Sequence, residues 1–148
     1  MQRTFYNEIE LLEFAAAFGR FLQVGDVVAL AGALGSGKTT FVRGIVQGRL
    51  QHDPVSSPTF TFAHRYEADP PIDHLDLYRI EDSGELAELG FYELLDGTSI
   101  VLIEWWQNAP SLVPRQRYEI TLEGAGSSPR SLRLETINAR ALPQYLLA

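Results

Sequence analysis

The chain has no cysteine among its 148 residues, which excludes disulfides, thiolate metal sites and cysteine nucleophiles. Basic residues are scarce, 12 against 19 acidic ones, for a net charge of -7. A protein gripping tRNA or DNA over a broad surface would carry a basic stripe, so such binding by this chain alone is not expected. The three histidines, His52, His64 and His74, are too scattered to suggest zinc. No apolar run reaches membrane-spanning length, and residues 1–5 lack the basic-then-apolar form of a secretion signal, so a cytoplasmic location is expected. Internal repeats, low-complexity tracts and long linkers are also missing, and the length suits one domain over residues 1–148.

What is present is a phosphate-binding loop. Residues 32–39 read GALGSGKT, the spacing G-x-x-x-x-G-K-[ST], in which glycines let successive backbone N–H groups curl around phosphate oxygens. Lys38 then reaches the β- and γ-phosphates. The Thr39 hydroxyl can ligate Mg²⁺, and Thr39 opens a helix whose N-terminus favours negative charge. The setting agrees: an apolar, β-branched run at residues 27–31 precedes the loop and a helical pattern over 39–50 follows it. A dinucleotide fingerprint is disfavoured, because Gly35-x-Gly37 would need glycine where Thr40 stands. Nucleotide contacts are therefore assigned to Gly32, Leu34, Gly35, Ser36, Gly37, Lys38, Thr39 and Thr40.

Along the chain, Asn7 with Glu10 forms a capping box for a helix whose Leu11, Leu12, Ala15, Phe18 and Leu22 face the core. Phe41, Ile45 and Val46 pack inward from the helix after the loop. Residues 53–59, with two prolines and three hydroxyls, read as a loop. Alternation over 60–66 predicts a strand, and residues 72–79 a second one paired with it, carrying Leu75 and Leu77 on one face and His74, Asp76 and Tyr78 on the other. A short helix is expected over 85–95 despite Gly90. The unbroken apolar run 100–103 reads as a strand covered on both faces, with Trp105 and Trp106 extending it. Residues 118–122 and 132–137 form a hairpin, and a terminal helix begins near Asn138. The fold class is α/β, a P-loop domain with a mixed central sheet flanked by helices.

Two carboxylates stand out. Glu104 lies at the end of the buried strand, where a P-loop site needs a hard oxygen for Mg²⁺ or for water held by it. Its extra methylene relative to the more usual aspartate either lengthens the reach to metal or moves it toward positioning water. Asp76 is a second metal or water-positioning candidate, with an ion pair to Arg65 or Arg79 as its structural alternative. Thr59 occupies the loop where nucleotide switches place a hydroxyl that senses the γ-phosphate, although an ordinary proline-containing loop reads similarly. His74 reads as a hydrogen-bonded sheet residue. Arg79, Arg43 or Arg65 could steady transition-state charge, and of the two tryptophans one could face a partner if both do not simply pack.

Taken in order, GALGSGKTTF at 32–41, SPTF at 57–60, HLDLYR at 74–79, ELAELGF at 85–91 and LIEW at 102–105 resemble the TsaE (YjeE/YdiB) family of small bacterial ATPases over nearly the whole chain. Trp106 departs from the proline usual there, which puts in doubt the chain direction after the strand. The resemblance implies binding and hydrolysis of ATP to ADP with Mg²⁺, in support of the TsaB–TsaD pair that transfers threonylcarbamoyl to adenosine 37 of tRNA. Contact with tRNA would then be indirect, through the partners. By position it implies that Lys38 binds phosphate, that Thr39 and Glu104 serve the metal, that Asp76 supports metal or water, and that Thr59 belongs to a switch. It also implies that Asn7 and Glu8 border the adenine. A metabolite kinase is the alternative, but no arginine-bearing lid or acceptor site is legible. A GTP switch lacks its Asn-Lys-x-Asp motif, and a third possibility is a P-loop protein that binds nucleotide only to hold a scaffold together.

Overall fold

Val27–Ala31 has no polar side chain and is buried at every position, the composition of a strand sandwiched between two layers. It forms β2, at the centre of one seven-stranded sheet in the order β1-β7-β6-β2-β5-β4-β3. The structure, a computed structural model, describes residues 1–50 and 62–148. Parallel to β2 run β5 (Ile100–Glu104) on one side and β6 (Arg117–Glu123) on the other. Next to β5 lies β4 (Ile72–Asp76), also parallel, and β3 (Ala63–Tyr66) closes that edge antiparallel to β4. On the far side, β7 (Arg130–Ile137) and β1 (Gln2–Phe5) add antiparallel strands. The mixed α/β sheet of the sequence reading is present.

One face is covered by α1 (Glu8–Phe21) and α2 (Lys38–Leu50). Asn7 caps α1 as expected, its side-chain oxygen accepting from Glu10 N at 2.9 Å. Leu11, Ala15 and Phe18 are buried together with Phe41, Ile45 and Val46, and the Phe41 ring lies 6.3 Å from that of Phe14 and 6.1 Å from that of Phe18. On the opposite face a smaller cluster, including Leu75, Leu77, Leu86, Phe91 and Ile103, fills the space under the connections after β4 and β5.

The two helices touch closely through glycines. A Cβ on Gly19 would stand 2.5 Å from the Ile45 carbonyl oxygen and 2.8 Å from its Cα, inside contact distance and against backbone that cannot step aside. Gly19→Ala is therefore expected to destabilise the fold by ~1–3 kcal/mol through overpacking, although glycine to alanine in an exposed helix gains about 1 kcal/mol. Urea unfolding decides it; a more stable variant would refute the close-approach account.

Several sequence expectations need correction. The strand expected over 60–66 begins only at Ala63, because Phe62 has φ 64, which leaves the extended region; residues 60 and 61 lie outside the described residues. The strand expected through Arg79 ends at Asp76, is buried on both faces, and turns where the Asp76 carboxylate accepts from Tyr78 N at 2.8 Å. Gly90, at φ 75, divides the expected 85–95 helix into α3 (Gly84–Glu88) and a 3₁₀ turn, leaving Leu89 exposed and burying Phe91 instead. The tryptophans do not extend β5: Trp105 is left-handed, at φ 58, and Trp106 opens a 3₁₀ turn. At the C-terminus only α4 (Gln144–Leu147) is helical, after Pro143, and Asn138 at φ 51 stands outside it. Strand β1 was not foreseen, since its sequence QRTF carries no alternation; its register on β7 is what makes it a strand.

Candidate nucleotide site

The C-terminal ends of β2, β4 and β5 meet at one level, because register pairs Leu30 with Glu104 and Asp76 with Glu104. In a parallel sheet such partners point to the same face, so the two carboxylates stand side by side at the mouth of the P-loop. This is where open α/β sheets bind ligands. Both are almost wholly buried, Asp76 at 3 % and Glu104 at 2 % exposure. Carboxylates on adjacent strands repel when both are charged, so a cation near the pair is favourable.

Lys38 supplies one. Its ammonium donates to the carbonyl oxygens of Gly32 at 2.5 Å and Ala33 at 3.0 Å and lies 4.4 Å from the centre of the Trp105 ring. Burial lowers its pKa below the ordinary lysine value, while the charges of Glu104 and Asp76 work in the opposite direction. The left-handed turn at Trp105 is what brings its ring over Lys38, and Tyr78 packs on that ring at 4.9 Å. The connections after β4 and β5 are tied together: Leu77 N donates to Glu104 O at 3.0 Å, and the Asn108 side chain donates to Leu77 O at 2.8 Å.

These groups open into a cavity of about 620 Å³. Of the residues assigned to nucleotide, Leu34, Gly35, Gly37, Lys38, Thr39, Thr40 and Glu8 line it, and so do Asp76 and Glu104. Gly32 and Ser36 do not: the Gly32 carbonyl takes the Lys38 hydrogen bond, and Ser36 is buried against Gly32. Thr59 and the rest of SPTF fall outside the described residues. Of the three arginines considered, Arg65 forms a bidentate pair with Asp73, both contacts at 2.8 Å, so it is not the partner of Asp76. Arg79 lies over the Phe62 ring at 5.4 Å, and Arg43 is 3.7 Å from Glu8.

Among the contributors that sequence reading missed are Arg130 and Tyr6. Arg130, at the start of β7, donates to Gly35 O at 3.2 Å and to Gly126 O at 3.0 Å, joining the β6–β7 connection to the P-loop. It is distant from the loop in sequence, and only the antiparallel return of β7 brings it there. Tyr6 lines the cavity at 70 % exposure, held by its N–H to the Glu10 side chain at 2.8 Å; the capping box was legible, its service to the cavity was not.

For magnesium the donors have the right character, being carboxylate and hydroxyl oxygens. Among the described residues no three His, Cys, Asp or Glu side chains form a ready-made cage.

The family model described as "Threonylcarbamoyl adenosine biosynthesis protein TsaE" matches residues 5–132. The chain belongs to the TsaE family. Among its relatives, the "tRNA threonylcarbamoyladenosine biosynthesis protein TsaE" of Bacillus subtilis is 35% identical over 135 residues, covering 90% of this chain and 84% of that one. The protein of that name from Borreliella burgdorferi is 35% identical over 126 residues, covering 83% and 91%. The crystal structure of Bacillus subtilis YdiB superposes with a TM-score of 0.76 at 28% identity, over 93% of this chain and 85% of that one. The TsaE match takes in the P-loop, Asp76, Glu104 and Arg130, so the cavity lies within the family's own segment. Among the described residues no helix is long and apolar enough to cross a membrane.

Proposed function

We propose that this TsaE-family chain is a magnesium-dependent ATPase, acting as a single P-loop domain in the cytoplasm. Its turnover supports the TsaB–TsaD pair in threonylcarbamoyladenosine modification of adenosine 37 of tRNA. The observation that carries the reading is the pairing of buried Asp76 and Glu104 in register beside Lys38, all opening with Thr39 into one cavity. Magnesium bound with the nucleotide would neutralise charge on the β- and γ-phosphates and would be held by Thr39 with Asp76 and Glu104. Lys38 offsets phosphate charge with the Trp105 ring against its ammonium, and Asp76, besides supporting the metal, orients the attacking water. Glu8 and Tyr6 border the far end of the cavity, where the base would lie. Thr59 is assigned to sensing the γ-phosphate. With a net charge of -7, the chain reaches tRNA through its partners.

The test is phosphate release from ATP and Mg²⁺ with and without purified TsaB–TsaD. Slow turnover alone and a rise of at least about tenfold with the pair, some 1.4 kcal/mol off the barrier, is the expected result. An unchanged rate would count against the role, and phosphate transferred to a small molecule instead of water would turn the reading to a kinase.

A further inference from the structure

His74 is a buried titratable side chain beside the site that the proposed chemistry does not use. It sits on β4 two residues before Asp76, at 0 % exposure, on the sheet face that Asp76 and Glu104 share. Its Nε2 lies 2.5 Å from Glu104 Oε2, and its ring stacks on Tyr66 at 6.3 Å and 27°. Among the described residues Nδ1 has no hydrogen-bond partner. An ionised carboxylate only accepts, so Nε2–H donates to it.

Glutamate has one more torsion than aspartate at the end of this strand, and a carboxylate free to rotate is a poor fixed point for metal or water. The Nε2–H contact removes that freedom on one oxygen while Glu104 still lines the cavity. Partners that orient a ligating group commonly change metal affinity or activity by 10–100-fold when lost. We infer that His74 is a positioning residue for Glu104, locking the carboxylate in the rotamer that serves the magnesium nucleotide. It is not itself a metal ligand, because its Nε2 is taken by Glu104 and the ring does not line the cavity. This inference rests on the reading of Glu104 as a group that serves magnesium.

The test compares wild type with His74→Leu, which removes the donor, and His74→Gln, whose amide can place an N–H near the former Nε2. Three quantities are read: ADP affinity in EDTA, Mn²⁺ affinity of the protein–ADP complex by electron paramagnetic resonance, and kcat with KM for ATP. Expected for His74→Leu are metal-free ADP affinity and KM close to wild type, with Mn²⁺ affinity or kcat reduced about 10–100-fold; His74→Gln should recover most of the loss. If His74→Leu does not fold, His74→Asn, too short to reach Glu104, takes its place. Wild-type Mn²⁺ affinity and kcat in the donor-less variant would overturn the assignment, as would equal losses in the glutamine variant. Wild type that binds Mn²⁺–ADP but never hydrolyses ATP would sink the ATPase reading alone, since the Mn²⁺ comparison still decides on His74. Wild type that binds ADP but no Mn²⁺ would overturn the positioning role.

Discussion

Lys38→Ala is expected to lower affinity for ATP and ADP by on the order of 10²–10³-fold, close to abolishing binding. Lys38 lies at the junction of the P-loop with both carboxylates, donating to Gly32 O and Ala33 O under the Trp105 ring. Charge-assisted hydrogen bonds contribute about 1.5–3 kcal/mol each, so losing two to phosphate at the low end of that range gives roughly 3–4 kcal/mol, and each 1.4 kcal/mol is a factor of ten. Removing the ammonium also takes away a positive charge that offsets Glu104 and Asp76, which adds repulsion to lost attraction. Arginine would not substitute, since its planar fork cannot occupy the space of a compact ammonium held by two carbonyls. The sign of the pH dependence follows from the same group. Burial lowers the Lys38 pKa, and phosphate needs the charged form, so affinity in wild type should begin to fall, as pH rises, before the ordinary lysine range near ~10.4 is reached. Lys38→Ala should lack that fall. Calorimetric titration with ADP over a pH series reads both effects, and an alanine variant that still bound ADP about as well as wild type would remove Lys38 from the site.

How much of this was legible in the chain varies with how local the cause is. The P-loop, its flanking strand and helix, and the Asn7 capping box are set by residues a few positions apart, and the structure places them within a residue or two of the sequence reading. Glu104 at the end of β5 was legible because an unbroken apolar run marks a strand buried on both faces. Features set by pairing were not. Strand β1 exists through its register on β7, and Arg130 reaches Gly35 across 95 residues of sequence. Backbone φ was hidden as well: positive values at Phe62 and Trp105 bound two strands that side-chain patterning extended too far, because non-glycine residues seldom adopt them. Asp76 and Asp73 illustrate the same limit. Sequence allowed an Arg65 pair for the former, but strand register sets Arg65 opposite Asp73, while Asp76 lines the cavity.

Glu104→Ala and Asp76→Ala are each expected to keep nucleotide binding and to lose turnover, with kcat falling on the order of 10²–10³-fold, about 3–4 kcal/mol of transition-state stabilisation. The two carboxylates share one level of the sheet and one cavity with Lys38, so each acts where charge develops on the transferring phosphoryl group. Binding should survive because the P-loop amides and Lys38 remain. In EDTA the affinity for ADP should even rise, since one negative charge beside the phosphates is gone; with Mg²⁺ that gain should shrink, because a metal-serving oxygen is gone with it. Asp73→Asn is the matching control. Asp73 is as buried as Asp76, at 3 %, but its oxygens take Arg65 and the Ser99 hydroxyl, at 2.8 and 2.6 Å. Its loss should lower unfolding free energy and leave kcat per folded molecule near wild type. Single-turnover hydrolysis in the presence of TsaB–TsaD, paired with ADP titrations with and without Mg²⁺, separates these outcomes. Wild-type rates in the Glu104 and Asp76 variants would withdraw both from the chemistry, and a loss of kcat in Asp73→Asn equal to theirs would show that burial of charge in this sheet, not its position at the cavity, is what turnover depends on.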